Sequence, residues 1–255
     1  MLTSIRGLTA AAILSSAFVA MAPAQAQAQE ETDPPSAIEL SGNVAVVSDY
    51  RFRGVSLSGG DPAIQGGIDL AHESGFYVGT WASSIDDGGT DLLGDVELDV
   101  YAGWSGEVSD GLTLDAGLLY YIYPTEDFGF DTDYLEPYAS LGFTLGPAQA
   151  TVGAAYAFDQ AALGDNDNLY LYTDLDVGIP NTPISLGAHL GYTDGVLAPP
   201  LLAGTGDDSG LDWSLGASAI VLGGLELGVS YVGVEGPPID GFTDDTVVAT
   251  LGMSF

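Results

Sequence analysis

The chain contains no cysteine and no lysine, and its three basic residues are the arginines Arg6, Arg51 and Arg53. The missing cysteine excludes disulfide staples, a catalytic thiol and thiolate metal sites. So few cations among 255 residues exclude nucleic acid as a partner, because phosphate binding needs clustered Lys and Arg. Beyond the N-terminal region no run of 18 apolar residues occurs, so no transmembrane helix is expected. The two histidines, His72 and His189, leave little room for imidazole chemistry. Phosphate loops, G-x-S-x-G and H-E-x-x-H motifs are also missing, and the reading is of a protein that is not an enzyme and carries no cofactor. The oxygen-rich stretch Gly164 to Asn168 lacks EF-hand spacing, so no metal site is assigned to it.

What the sequence does have is acid, glycine and alternation. Thirty-six Asp and Glu give a formal net charge of -33, yet hydrophobic residues make up 46% of the chain, too many for an acidic disordered protein. Arg6 precedes the apolar run LTAAAILSSAFVAMA and the small-residue sites of APAQAQAQE, the layout of a signal peptide over residues 1–28. Cleavage is expected after Ala28, with Ala24 and Ala26 as alternatives. Residues 29–38 read as a polar periplasmic lead-in and residues 39–255 as one folded unit.

Within that unit, segments of about ten residues alternate apolar and polar, the signature of strands with two unlike faces. In DVELDVYAGWS the even positions Val96, Leu98, Val100, Ala102 and Trp104 are apolar, whereas Asp95, Glu97 and Asp99 are charged. Twelve such segments are expected, at 40–57, 62–72, 75–85, 95–106, 112–123, 134–146, 148–159, 169–179, 184–193, 211–222, 225–234 and 246–255. Charge on the polar face of nearly every segment suits a wet interior rather than a dry core. Short connections such as HESG, GPA and GG alternate with longer acidic ones such as DDGGTDLLG and QAALGDNDN; SLSGGDP is a short exception on the long side. Together these features predict an all-β fold: a closed antiparallel transmembrane β-barrel of about twelve strands, with short periplasmic turns and acidic extracellular loops. Aromatics near strand ends (Tyr50 and Phe52, Phe76 and Tyr77, Tyr156 and Phe158, Tyr192, Trp213) are expected to form the interfacial girdles. The last strand places Val247, Ala249, Leu251, Met253 and Phe255 on one face, and Leu251, Met253 and Phe255 read as the C-terminal signal for the barrel-assembly machinery.

Residues 41–124 also carry a family resemblance. The blocks S-D-Y-R-F-R-G, D-P-A-I-Q-G-G and H-E-S-G-F-Y, with LDVYAGWSGE and GLLYYIYP, are similar to the TorF-type porins, a proteobacterial family of small outer-membrane barrels. The resemblance implies location in the outer membrane and barrel architecture, and brings no substrate or catalytic residue with it.

Continuing the alternation through the first segment puts Leu40, Val44, Val46, Tyr50 and Phe52 toward lipid and Asp49, Arg51 and Arg53 on the interior wall. The same parity turns Asp69, Asp99, Asp115, Asp174 and Asp176 inward, and these eight residues are the expected pore lining. Two readings of the arginines stay open: pairing with carboxylates on neighbouring strands, or one charged side of a constriction. His189 has lumen parity, but Ser185 on the same strand lies about 13 Å away at 3.3 Å per residue, too far for a nucleophile and base. The function expected is that of a porin passing small hydrophilic solutes, cations preferred. Alternatives are a solute-specific channel, or a barrel plugged by inward tyrosines (Tyr101, Tyr121, Tyr123, Tyr170 and Tyr172) that presents acidic loops.

Overall fold

The computed structural model describes residues 37–86, 93–125 and 132–255. The expected signal peptide, its cleavage sites and nearly all of the lead-in lie outside the described residues. The strands are β1 (Ile38–Val47), β2 (Arg51–Phe52), β3 (Val55–Ser56), β4 (Ala63–His72), β5 (Phe76–Ser84), β6 (Val96–Ser109) and β7 (Leu112–Ile122). They continue as β8 (Tyr134–Leu145), β9 (Ala148–Gln160), β10 (Asn166–Gly178), β11 (Ile184–Gly195), β12 (Ser209–Val221), β13 (Leu225–Val234) and β14 (Thr246–Ser254). A 3-10 turn at Ala161–Leu163 and one helical turn, α1 (Pro199–Leu202), lie in connections.

Twelve of these strands pair antiparallel in chain order and close into a barrel through β1 and β14, with Asn43 opposite Ser254 and Val47 opposite Thr250. Closure removes both sheet edges, which is what lets strands cross hydrocarbon without unpaired backbone groups. The outer surface follows the alternation. Leu40, Ile64, Phe76, Leu215, Val247 and Leu251 are exposed, while Gln65, Glu97, Asp99, Asp115, Glu136 and Asp212 are buried inside. Apolar outside and acidic inside is the reverse of a soluble protein and matches lipid as the outer solvent.

Glycine makes room for the tyrosines of the inner wall. Tyr101 stands opposite Gly79, Tyr77 opposite Gly103, Tyr138 opposite Gly117 and Tyr172 opposite Gly153, and a methyl group on any of these glycines would overlap the facing tyrosine ring or hydroxyl. An aromatic lying over a cross-strand glycine is a known device for pinning register in curved sheets.

The first strand departs from expectation. The alternation in the sequence runs through residue 57, but β1 leaves the wall after Val47 and the chain does not rejoin it until Ala63. Between them the segment folds into the barrel as a small hairpin in which β2 pairs with β3. Its two-residue turn has Arg53 at φ 48° and Gly54 at φ 78°, the left-handed pair normally supplied by Asn-Gly. A non-glycine residue there costs about 1–3 kcal/mol. At Gly54 a Cβ would also run into Val234. The connection expected to be short on the long-loop side is therefore one of the longest, turned inward. Tyr50 is buried and Phe52 packs against the interior cluster, so neither belongs to a lipid girdle; Tyr77 also points inward, to Asp115. The stretch expected as a long loop at residues 160–168 is mostly the 3-10 turn and the start of β10.

Candidate functional site

The interior has two levels. At the long-connection end the hairpin segment carries Tyr50, Phe52 and Leu57 into an apolar cluster with Trp81, Tyr121, Tyr134, Val232 and Val248, drawn from opposite walls. Tyr50 meets Trp81 edge to face at 5.4 Å and Phe52 meets Tyr121 at 5.7 Å. Toward the short-turn end the lining is acidic and partly open: Asp69, Asp174 and Asp176 are only half-buried.

Asp49, Arg51 and Arg53 do lie inside, but on the inturned segment rather than on the strand wall, because β1 has already ended. Arg51 donates from Nε to Asp49 Oδ2 at 2.5 Å. Its Nη1 reaches the Asp244 carbonyl at 2.7 Å and its Nη2 the Asp244 carboxylate at 3.1 Å, tying the hairpin to the β13–β14 connection. Asp49 Oδ1 in turn accepts from Ser56 and Ser58 at 2.6 and 3.2 Å, so the segment closes on itself around one buried carboxylate.

Arg53 reaches the opposite wall. Its Nη2 donates to both oxygens of Glu136 on β8, at 2.8 and 2.7 Å, and its guanidinium sits 4.2 Å from the centre of the Tyr170 ring. Tyr121 donates to Glu136 Oε2 at 3.2 Å and stacks on Tyr134 at 4.4 Å. Burial disfavours the Arg53 charge, but the Glu136 carboxylate overcomes this and holds the guanidinium pKa above its ordinary value. Tyr50 donates to Glu97 at 2.6 Å, and burial followed by the Glu97 and Asp99 charges pushes its phenol well above the usual tyrosine range.

Asp99 faces the interior beside this group, opposite Tyr121 in register. Asp69 accepts from Tyr101 at 2.5 Å and Asp115 from Tyr77 at 2.7 Å. Asp174 lies 2.6 Å from His189 Nδ1, while His189 Nε2 faces Asp212 at 3.0 Å and the Tyr170 hydroxyl at 2.8 Å. Asp176 lies one inward position further toward the turn. Leu251, Met253 and Phe255 project outward, and Phe255 exchanges backbone hydrogen bonds with Gly42. Among the described residues no group of three or more His, Asp or Glu is placed to hold a metal ion.

Of the two readings of the arginines, the geometry gives pairing: both guanidinium groups are met by carboxylates. The partners that sequence reasoning missed are Glu136 and Asp244. Glu136 had the parity of Tyr134 and Tyr138 on its strand and could have been found that way; Asp244 sits in a connection with no periodic signal.

The pairing has a direct reporter. Arg51 and Arg53 are the only basic residues beyond Arg6, and both are buried, 3% and 5% exposed. Trypsin is expected to leave the folded barrel uncut between residues 50 and 54 and to cleave there once it is unfolded, read as two fragments on a denaturing gel. Asp244→Ala, which removes one carboxylate from Arg51, is expected to make the folded barrel cleavable. Equal resistance of the variant and the parent would remove the Arg51 to Asp244 contact as the hairpin's anchor.

The fold is shared with porins of known structure. The NanC porin superposes with a TM-score of 0.56 at 9% identity, over 85% of this chain and 99% of that one. The KdgM porin, solved in complex with disordered oligogalacturonate, gives 0.55 at 9% identity, over 85% and 97%. At such identities the likeness is one of fold. No curated protein matches the sequence. The sequence model of one bacterial family, described as "Bacterial protein of unknown function (Gcw_chp)", matches residues 31–255, and the chain belongs to that family.

Proposed function

We propose that the chain is an outer-membrane porin, exported by residues 1–28, joined through the lead-in 29–38 to the barrel of residues 39–255, and giving passive diffusion of small hydrophilic solutes with a preference for cations. The observation that carries this is an apolar outer surface around an interior lined by Asp69, Asp99, Asp115, Asp174 and Asp176, with each buried arginine already neutralised by a carboxylate. In a confined pore such a lining attracts cations by Coulomb forces. The two porin folds and the TorF-type resemblance of residues 41–124 lean the same way. An oligogalacturonate is a polyanion, so the ligand of the KdgM porin does not suit this wall. Outer-membrane lipid surrounds the barrel, and Leu251, Met253 and Phe255 offer the C-terminal strand to the assembly machinery. An enzymatic reading lacks support: His189 Nδ1 is turned to Asp174, and the one hydroxyl its Nε2 meets, that of Tyr170, is on a buried side chain and shared with Asp212.

A second reading has its own observation. The hairpin and the apolar cluster around Tyr50 and Trp81 cross the interior, as a plugged barrel presenting acidic loops requires. Conductance of the refolded protein in a planar bilayer under a salt gradient separates the two. Discrete steps with a cation-selective reversal potential are expected, and Asp174→Asn combined with Asp176→Asn is expected to move that potential toward zero. Arg51→Ala with Arg53→Ala is expected to increase both conductance and cation preference. A folded, heat-modifiable barrel that never conducts would overturn the porin reading in favour of the plug.

A further inference from the structure

The barrel wall supplies the charged partner and one aromatic face of the pocket around Arg53, and Phe52 of the hairpin supplies a second face 4.7 Å from the guanidinium. Glu136 of β8 turns both carboxylate oxygens to one guanidinium nitrogen, the Tyr170 ring of β10 lies against the guanidinium at 4.2 Å, and Tyr121 of β7 steadies Glu136 by a hydrogen bond. A carboxylate that offers both oxygens and an aromatic face beside it are what a planar organic cation asks of a binding site.

The occupant fits the pocket less well than the pocket is made. Arg53 Nη1 is buried with no partner, and its backbone is held at φ 48° in a turn position that Asn or Gly takes with less strain. A residue needed only to close the turn would not be arginine, so the guanidinium itself is what the position selects. Tethering explains the imperfect fit: a side chain hung from a hairpin cannot centre itself, whereas a free cation can.

We propose that the Glu136 and Tyr170 pocket is a binding site for small organic cations of the guanidinium class, which Arg53 occupies as a tethered stand-in and for which it competes with solutes. The inference gives a ligand class to the channel reading above and rests on that reading only for access to the interior.

Arg53→Asn empties the pocket while giving the turn a residue it favours. Calorimetric titration of the refolded variant in detergent with guanidinium chloride is expected to show saturable binding, about tenfold tighter than to wild type, where Arg53 competes. Urea, planar but uncharged, and sodium chloride are expected to show none, and Arg53→Asn with Glu136→Gln is expected to lose the binding. Absence of saturable binding, equal binding to wild type, equal binding of urea, or persistence in the double variant overturns the proposal. Should Arg53→Asn not refold in sodium chloride, refolding is repeated in each additive and followed by the heat-modifiable gel shift. Recovery in guanidinium chloride alone supports the site; no recovery, or equal recovery in all three, overturns it. None of these measurements needs the barrel to conduct. A closed barrel with a guanidinium site would sink the channel and spare the site, and a conducting barrel without one would do the reverse.

Discussion

Glu136→Ala is expected to destabilise the barrel by about 3–5 kcal/mol, the cost of stranding a buried charge. Glu136 is 2% exposed and Arg53 5%, so removing the carboxylate leaves a guanidinium that water does not reach. Arginine cannot escape by losing its proton, since its pKa lies far above any working pH. Arg53→Ala with Glu136→Ala removes both charges together, and its loss is expected to fall short of the sum of the single losses, a coupling of about 2 kcal/mol or more. Urea unfolding of the refolded barrels, followed by tyrosine and tryptophan fluorescence, measures all four corners of the cycle. Strict additivity would mean that solvent screens the pair, as it does for exposed ion pairs.

Replacing residues 49–61 by two glycines is expected to convert a narrow or silent barrel into one with a several-fold larger conductance. Val47 and Ala63 already face each other across β1 and β4, so a four-residue connection can join them in place of the hairpin. The replacement withdraws Tyr50, Phe52 and Leu57 from the apolar cluster and both arginines from the interior, leaving the acidic wall. Cation selectivity should therefore rise along with conductance. The twelve strands lose no ladder hydrogen bond, and the gel shift on heating is expected to persist. An unchanged conductance in a folded deletion barrel would show that the inturned hairpin is not what narrows the passage.

Much of this architecture was legible in the residues. Alternation alone located the twelve wall strands, most of them within about three residues of their observed ends, because the side-chain period of a strand is two and a lipid face cannot hide a polar error. It also turned Asp69, Asp99, Asp115, Asp174 and Asp176 inward. It failed at SDYRFRG, where polar and aromatic residues keep alternating after the strand has stopped. Nothing local separates a strand that stays in the wall from a hairpin that folds across it; both satisfy period two. The dipeptide Arg53-Gly54 does not announce the turn it makes, because Arg-Gly lacks the left-handed preference of Asn-Gly.

An antiparallel barrel of about twelve strands with an apolar outer face was readable from the residues alone, since each of these features follows from a repeating pattern read a few residues at a time. Where the two arginines go could be seen only in the folded barrel. Arg53 meets Glu136 across 83 positions and Arg51 meets Asp244 across 193, and those distances collapse only when the first strand and the last close the barrel around the hairpin. A buried charge takes the partner that the closed sheet brings within hydrogen-bond reach, and chain neighbours carry no record of that choice.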